Sequence, residues 1–303
     1  MTTNRHISTG ILLLLGFTGL VLFTTTTSAD ANQQTTAEFF LPTIFRAPSL
    51  VITPVGDGFS QVTAITHAGD DRLFIGQRTG EIYVLYPDGR KELFLDLSDR
   101  VYPNGSEYGF YSIAFHPDYV GNGFLFVTYT GKVDGKVYLT LGRFHAVTDY
   151  SADPASEAVL LRVRQDTDLH KAGGLDFDSR THQLYMGIGD DTQIALAQDP
   201  TSVQGKVIRL DVDDVPPDLV GNAEGRAHQE VWAMGLRNPW RVDVDEPTDL
   251  VYVADVGSGS WEEVNVAPIK ATGTNFGWPC REGAYFFIPG DEVAACHTDL
   301  VLT

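Results

Sequence analysis

One pattern recurs along most of this chain and narrows what it can fold into. An apolar, β-rich run gives way to a polar turn and then to a second such run. The first copy is Val62-Thr63-Ala64-Ile65, Gly69-Asp70-Asp71 and Leu73-Phe74-Ile75-Gly76. Further copies run from Ser112 to Tyr129, from Gly174 to Gly189 and from Trp240 to Asp255. Asp, Gly and Pro between β-branched and aromatic residues are hairpin chemistry. A third strand follows three of the copies: Gly80 to Leu85, Gly205 to Asp211 and Glu263 to Val266. Multi-stranded units recurring roughly every 50–65 residues predict the blades of a β-propeller. A β-sandwich also alternates strands, but it does not repeat the same unit four times. The expected class is therefore all-β.

The ends of the chain set the domain plan. Ile11 to Phe23 is the only long apolar run, with Arg5 and His6 before it and Ala29-Asp30-Ala31 after it. At about 13 residues it is short for a span that needs about 20, and it has the flanks of a secretory signal peptide. We expect a signal peptide over 1–31, a tether over 32–50 and a propeller domain over 51–303, secreted or otherwise extracytoplasmic. Closing a propeller ring takes four to eight blades. Four units are legible and a fifth begins near Gly273 before the chain stops at Thr303. The expected ring is thus either small and irregular or cut short, with four to five blades. Cys280 and Cys296 are the only cysteines. In an exported chain such a close pair suggests one disulfide, with two free thiols or half a metal site as alternatives. The net charge of −19 repels phosphate backbones and excludes general nucleic-acid binding. No other segment is apolar enough to cross a membrane.

In a propeller the loops at one end of the channel converge, so chemistry is sought in loops richer in polar groups than their turns require. Three stand out. His170 precedes Gly173-Gly174 at a strand entry, and Asp190 ends the next strand, close enough to orient an imidazole. Arg237-Asn238 before Pro239 sets a planar cation and an amide side by side, suited to a carboxylate, a quinone oxygen or a sugar hydroxyl. Gly257-Ser258-Gly259 can turn carbonyl oxygens towards a hard cation. Each has a plainer reading: an ordinary histidine, a salt-bridged arginine, a glycine-rich turn. His116 reads as turn chemistry and the other histidines lack ligand spacing, so no histidine cluster is expected.

Taken together, these stretches resemble the glucose/sorbosone dehydrogenase family, the soluble sugar dehydrogenases that use pyrroloquinoline quinone (PQQ). The matching segments are Gly109 to Tyr119, His170 to Gly174, Gly205 to Asp213, Gly235 to Trp240, Asp255-Val256-Gly257 with Trp261-Glu262-Glu263, and Asn275 to Pro279. They occur in family order across 55–285. The resemblance implies a six-bladed propeller, oxidation of an aldose at C1, PQQ and Ca2+ as cofactors, and an external electron acceptor. It assigns His170 as the base, Asp190 as its supporting acid, and Arg237 and Asn238 as neighbours of quinone and substrate. Glu107 falls at a polar position near the cofactor. Carbonyls of Gly257 and Ser258 match the Ca2+ loop. Asp191-Thr192 departs from a usual Gly-rich continuation. The family's last blade, whose Lys and Arg residues grip the quinone carboxylates, has no matching positions here. Two other readings remain open: a non-catalytic extracellular binding propeller of the hedgehog-interacting kind, and an inactive truncated fragment.

Overall fold

The computed structural model describes residues 54–287 and Cys296, together with the backbone of two strands near the start. Those two, Ile11–Gly16 and Gly19–Thr24, pair as an antiparallel hairpin within a unit of their own. The rest of the expected leader and tether lies outside the described residues. Among the described residues, no helix is long and apolar enough to cross a membrane.

From residue 55 onward the described chain forms four mainly antiparallel blades in a propeller arrangement, with a separate two-stranded hairpin of Arg281–Glu282 and Tyr285–Phe286. Blade one holds β1 (Val62–Thr66), β2 (Leu73–Gln77), β3 (Glu81–Leu85) and β4 (Lys91–Asp96). Blade two holds β5 (Phe110–Phe115), β6 (Phe124–Val133), β7 (Lys136–Thr148) and β8 (Ser151–Gln165). Blade three holds β9 (Ala172–Asp178), β10 (Gln183–Ile188), β11 (Lys206–Asp211) and β12 (His228–Met234). Blade four holds β13 (Pro239–Asp245), β14 (Leu250–Asp255) and β15 (Glu263–Pro268). Among the described residues the helical elements are a turn at Tyr119–Asn122 and a 3-10 segment at Ile194–Gln198. The residues just after Gly273, Thr274–Asn275, pair in parallel with β12 and extend blade three, and among the described residues no fifth blade follows them. Cys280 and Cys296 are joined in a disulfide, with Cα atoms 5.5 Å apart.

The core lies between blades. Phe74, Ile82, Phe94, Phe110, Leu125 and Phe144 fill the space between blades one and two. Phe126, Leu141, Phe177, Leu184 and Ile208 fill the next, and Tyr185, Trp232, Val242 and Val253 the third. Each such side chain contributes about 1.5–3 kcal/mol on burial, so neighbouring blades hold one another in place. The innermost strands approach so closely that some positions admit only glycine. A Cβ on Gly187 would lie 2.2 Å from the Pro239 carbonyl oxygen. Between non-consecutive blades, Tyr111 of blade two meets Trp240 of blade four edge to face at 6.0 Å, and Arg241 donates to the Thr63 carbonyl of blade one.

At the opposite end of blades two and three the structure corrects one expectation. His116 and His182 do come together, their rings 4.9 Å apart, and both bond the Asp213 carboxylate, at 2.9 and 2.8 Å. Three such groups within ligand distance could suggest a metal. The His116 tautomer argues otherwise. Its Nδ1 accepts the Asp118 amide at 3.0 Å and lies 2.8 Å from Asn122 Nδ2. The ring proton is therefore on Nε2, which donates to Asp213. A metal on Nε2 would move that proton to Nδ1 and set it against an N–H donor. The cluster is an inter-blade clip.

Candidate active site at the mouth of the propeller

The sequence-predicted residues converge at the end of the propeller where β9 begins and β10 ends. His170 Nδ1 lies 2.6 Å from Asp190 Oδ1. Asp190 is fully buried and takes two further donors: the Thr192 amide on Oδ1 at 2.8 Å and the Trp278 indole Nε1–H on Oδ2 at 2.9 Å. With Nδ1–H donated to the acid, the lone pair of the imidazole sits on Nε2. His170 retains some solvent access while Asp190 has none. His170, Ala172, Asp191 and Thr192 all have φ between 54° and 62°. Four non-glycine residues in the left-handed region mark a loop held against its own preference, as functional sites often are.

An ion pair accounts for part of that holding. Lys171 and Asp191 are both fully buried, and the Lys171 ammonium bonds Asp191 Oδ1 and, at 2.6 Å, Gln165 Oε1. Asp191 also accepts the amides of Asp166 and Thr167, at 2.7 and 3.1 Å. Burial pushes the Lys171 ammonium below the usual lysine range, and Asp191 opposes that shift. The pair sits where the family resemblance showed a departure, and it ties the His170 loop to the end of β10. Glu107 joins the cluster from blade two: its carboxylate accepts the Lys171 amide at 2.9 Å and the Asn238 side-chain amide at 3.3 Å.

Arg237 and Asn238 are presented by Asp255. Its two carboxylate oxygens accept their backbone amides at 2.9 and 2.6 Å. Burial raises the Asp255 pKa to about 7, with the two amides pulling the other way. The Arg237 side chain forms no salt bridge among the described residues. It donates to the Val256 carbonyl at 2.9 Å and lies over the Trp278 ring at 5.6 Å. Asn238 Oδ1 is buried without a partner among the described residues.

The Gly257 loop follows directly. A Cβ at Gly257 would lie 1.5 Å from the Trp261 carbonyl oxygen, so only glycine fits. The carbonyls of Gly257 and Ser258 accept no hydrogen bond from any described residue. Two unpartnered carbonyls suit a hard cation, and an arginine without an acidic partner suits an anionic cofactor. The residues present therefore fit Ca2+ and PQQ. Trp278, Asp255 and the Lys171–Asp191 pair were not identified as site residues from sequence. The stretch Asn275 to Pro279 matches the family, but nothing local in the sequence shows that its indole reaches Asp190.

These features define a class: a propeller whose inner strand ends present an acid-backed histidine together with an arginine that has no acidic partner among the described residues. The family model for Glucose / Sorbosone dehydrogenase matches residues 59–291. The chain belongs to that family. It is 28% identical to the HIPL2 protein of Arabidopsis thaliana over 312 residues, covering 79% of this chain and 44% of that protein. It is 30% identical to the hedgehog-interacting protein of Mus musculus over 229 residues, covering 66% of this chain and 33% of that protein. The chain thus spans less than half the length of these curated relatives. The solved PQQ-bound aldose sugar dehydrogenase of Streptomyces coelicolor superposes with a TM-score of 0.61 at 24% identity, covering 78% of this chain and 67% of that one. That likeness establishes the fold, a β-propeller.

Proposed function

We propose that this chain is the propeller of an extracytoplasmic, PQQ- and Ca2+-dependent dehydrogenase that oxidises the C1 hydroxyl of an aldose to the lactone. An external electron acceptor would restore the oxidised state. The observation that carries the reading is the His170–Asp190 pair, with Asp190 buried under three donors. PQQ, when bound, supplies the two-electron acceptor, with Ca2+ as its Lewis acid. His170 Nε2 takes the C1 hydroxyl proton, and Asp190 stabilises the imidazolium that forms. Arg237, Asn238 and Glu107 hold and orient the bound groups, and the carbonyls of Gly257 and Ser258 hold the cation. The test is reconstitution of purified protein with PQQ and Ca2+, followed by a panel of aldoses with a dye acceptor. Dye reduction that disappears in His170→Ala is expected. Absence of PQQ binding by the folded protein overturns the reading.

The likeness to hedgehog-interacting protein supports a second reading, a binding propeller without catalysis. Under that reading His170→Ala leaves the protein's biological effect intact. A third, an inactive fragment, predicts no cooperative thermal transition.

A further inference from the structure

Three consecutive amides in the Gly257 loop point at carboxylates. The Gly257 N–H donates to Glu262 Oε2 at 3.2 Å. The next two, Ser258 and Gly259, both donate to Glu282 Oε1, the latter at 3.3 Å. Glu282 is buried, and it comes from a different segment, the short hairpin of Arg281–Glu282 with Tyr285–Phe286. Both peptide bonds are trans, and a trans peptide holds its N–H and C=O antiparallel. With two N–H groups fixed on one carboxylate oxygen, the carbonyls of Gly257 and Ser258 must turn to the opposite side. The carbonyl just before them, Val256 O, accepts from Arg237 Nη1 at 2.9 Å, so the loop runs alongside the guanidinium.

We propose that Glu282 is the positioning residue of the cation site: by holding the Ser258 and Gly259 amides it aims the Gly257 and Ser258 carbonyls together at a hard divalent cation. It touches no ligand itself. Its charge, on the far side of the loop, adds to the field that the cation meets. Partners of this kind typically change metal affinity by about 10–100-fold. The proposal rests on the Ca2+-dependent reading above, and the experiment separates the two.

Ca2+ is titrated into metal-free protein holding a saturating concentration of PQQ, and quinone binding is read from quenching of tryptophan fluorescence. Glu282→Met removes both the acceptor oxygen and the charge. Glu282→Gln keeps an acceptor oxygen. In Glu282→Met the half-saturating Ca2+ concentration is expected to rise about tenfold or more, and the Ca2+-induced rise in melting temperature to disappear. In Glu282→Gln both effects are expected to be smaller but present. Wild-type half-saturation in Glu282→Met overturns the proposal and leaves the cofactor reading standing. Wild-type protein whose quinone binding ignores Ca2+ overturns both. If Glu282→Met fails to fold, Glu282→Gln decides: a raised half-saturation supports the role, and an unchanged one overturns it.

Discussion

His170 is positioned by Asp190, and Asp190 in turn by Trp278, so the imidazole is oriented through a chain of buried side chains behind it. Asp190→Asn leaves the shape but offers the imidazole an amide, which favours the wrong tautomer. In a histidine–carboxylate pair of this type such a change lowers turnover by about 10^4-fold, and steady-state dye reduction measures it. Trp278→Phe keeps the ring beneath Arg237 but strips the donor from a buried carboxylate oxygen. A loss of about 1.5–3 kcal/mol is expected, read from urea unfolding. Asp255 gives a pH signature. Folded, it holds its proton up to about 7; unfolded, it releases it near about 4. Over that window the unfolded chain binds fewer protons, so this contribution to stability is full below about 4 and is lost as pH rises through about 7. Urea midpoints measured across that range should slope downward in the wild type and flatten in Asp255→Asn. His170, Asp190, Arg237, Asn238 and Glu107 are legible as candidates because each falls at a position that matches the family, and the structure brings their loops to one end of the propeller. The role of Trp278 is not legible, because it lies 88 residues from Asp190 and only the blade arrangement joins them.

The elements that carry these residues differ in how openly the sequence announces them. Inner hairpins such as β9–β10 pair apolar runs around a polar turn and are easy to read. β7 and β8 were missed. β8 contains Pro154, and its pairing with β7 breaks register at three places, so no clean alternation survives. The Lys171–Asp191 pair is an element-scale device, because it fastens the loop before β9 to the end of β10. Lys171→Met leaves Asp191 buried without its cation and is expected to cost about 3–5 kcal/mol. The double variant Lys171→Met with Asp191→Leu should recover part of that loss in a double-mutant cycle followed by urea unfolding. In the Gly257 loop, Gly257→Ala cannot be accommodated without moving Trp261.

Across the whole molecule, the four units read from the sequence are the four blades of the structure, and their packed faces supply the core. One stretch pairs where its pattern does not point: Thr274–Asn275, just after Gly273, joins blade three through a parallel pairing that hydrophobic pattern cannot signal. The disulfide closes a loop with a sequence separation of 16. Its reduction is expected to lower stability by about 3 kcal/mol in the chain-entropy model, measurable as a fall in the urea midpoint with dithiothreitol. Tyr111, Trp240 and Arg241 have a last consequence. They tie blade four directly to blades one and two as well as to its sequence neighbour, blade three, so the sheets brace one another beyond the order in which the chain lays them down.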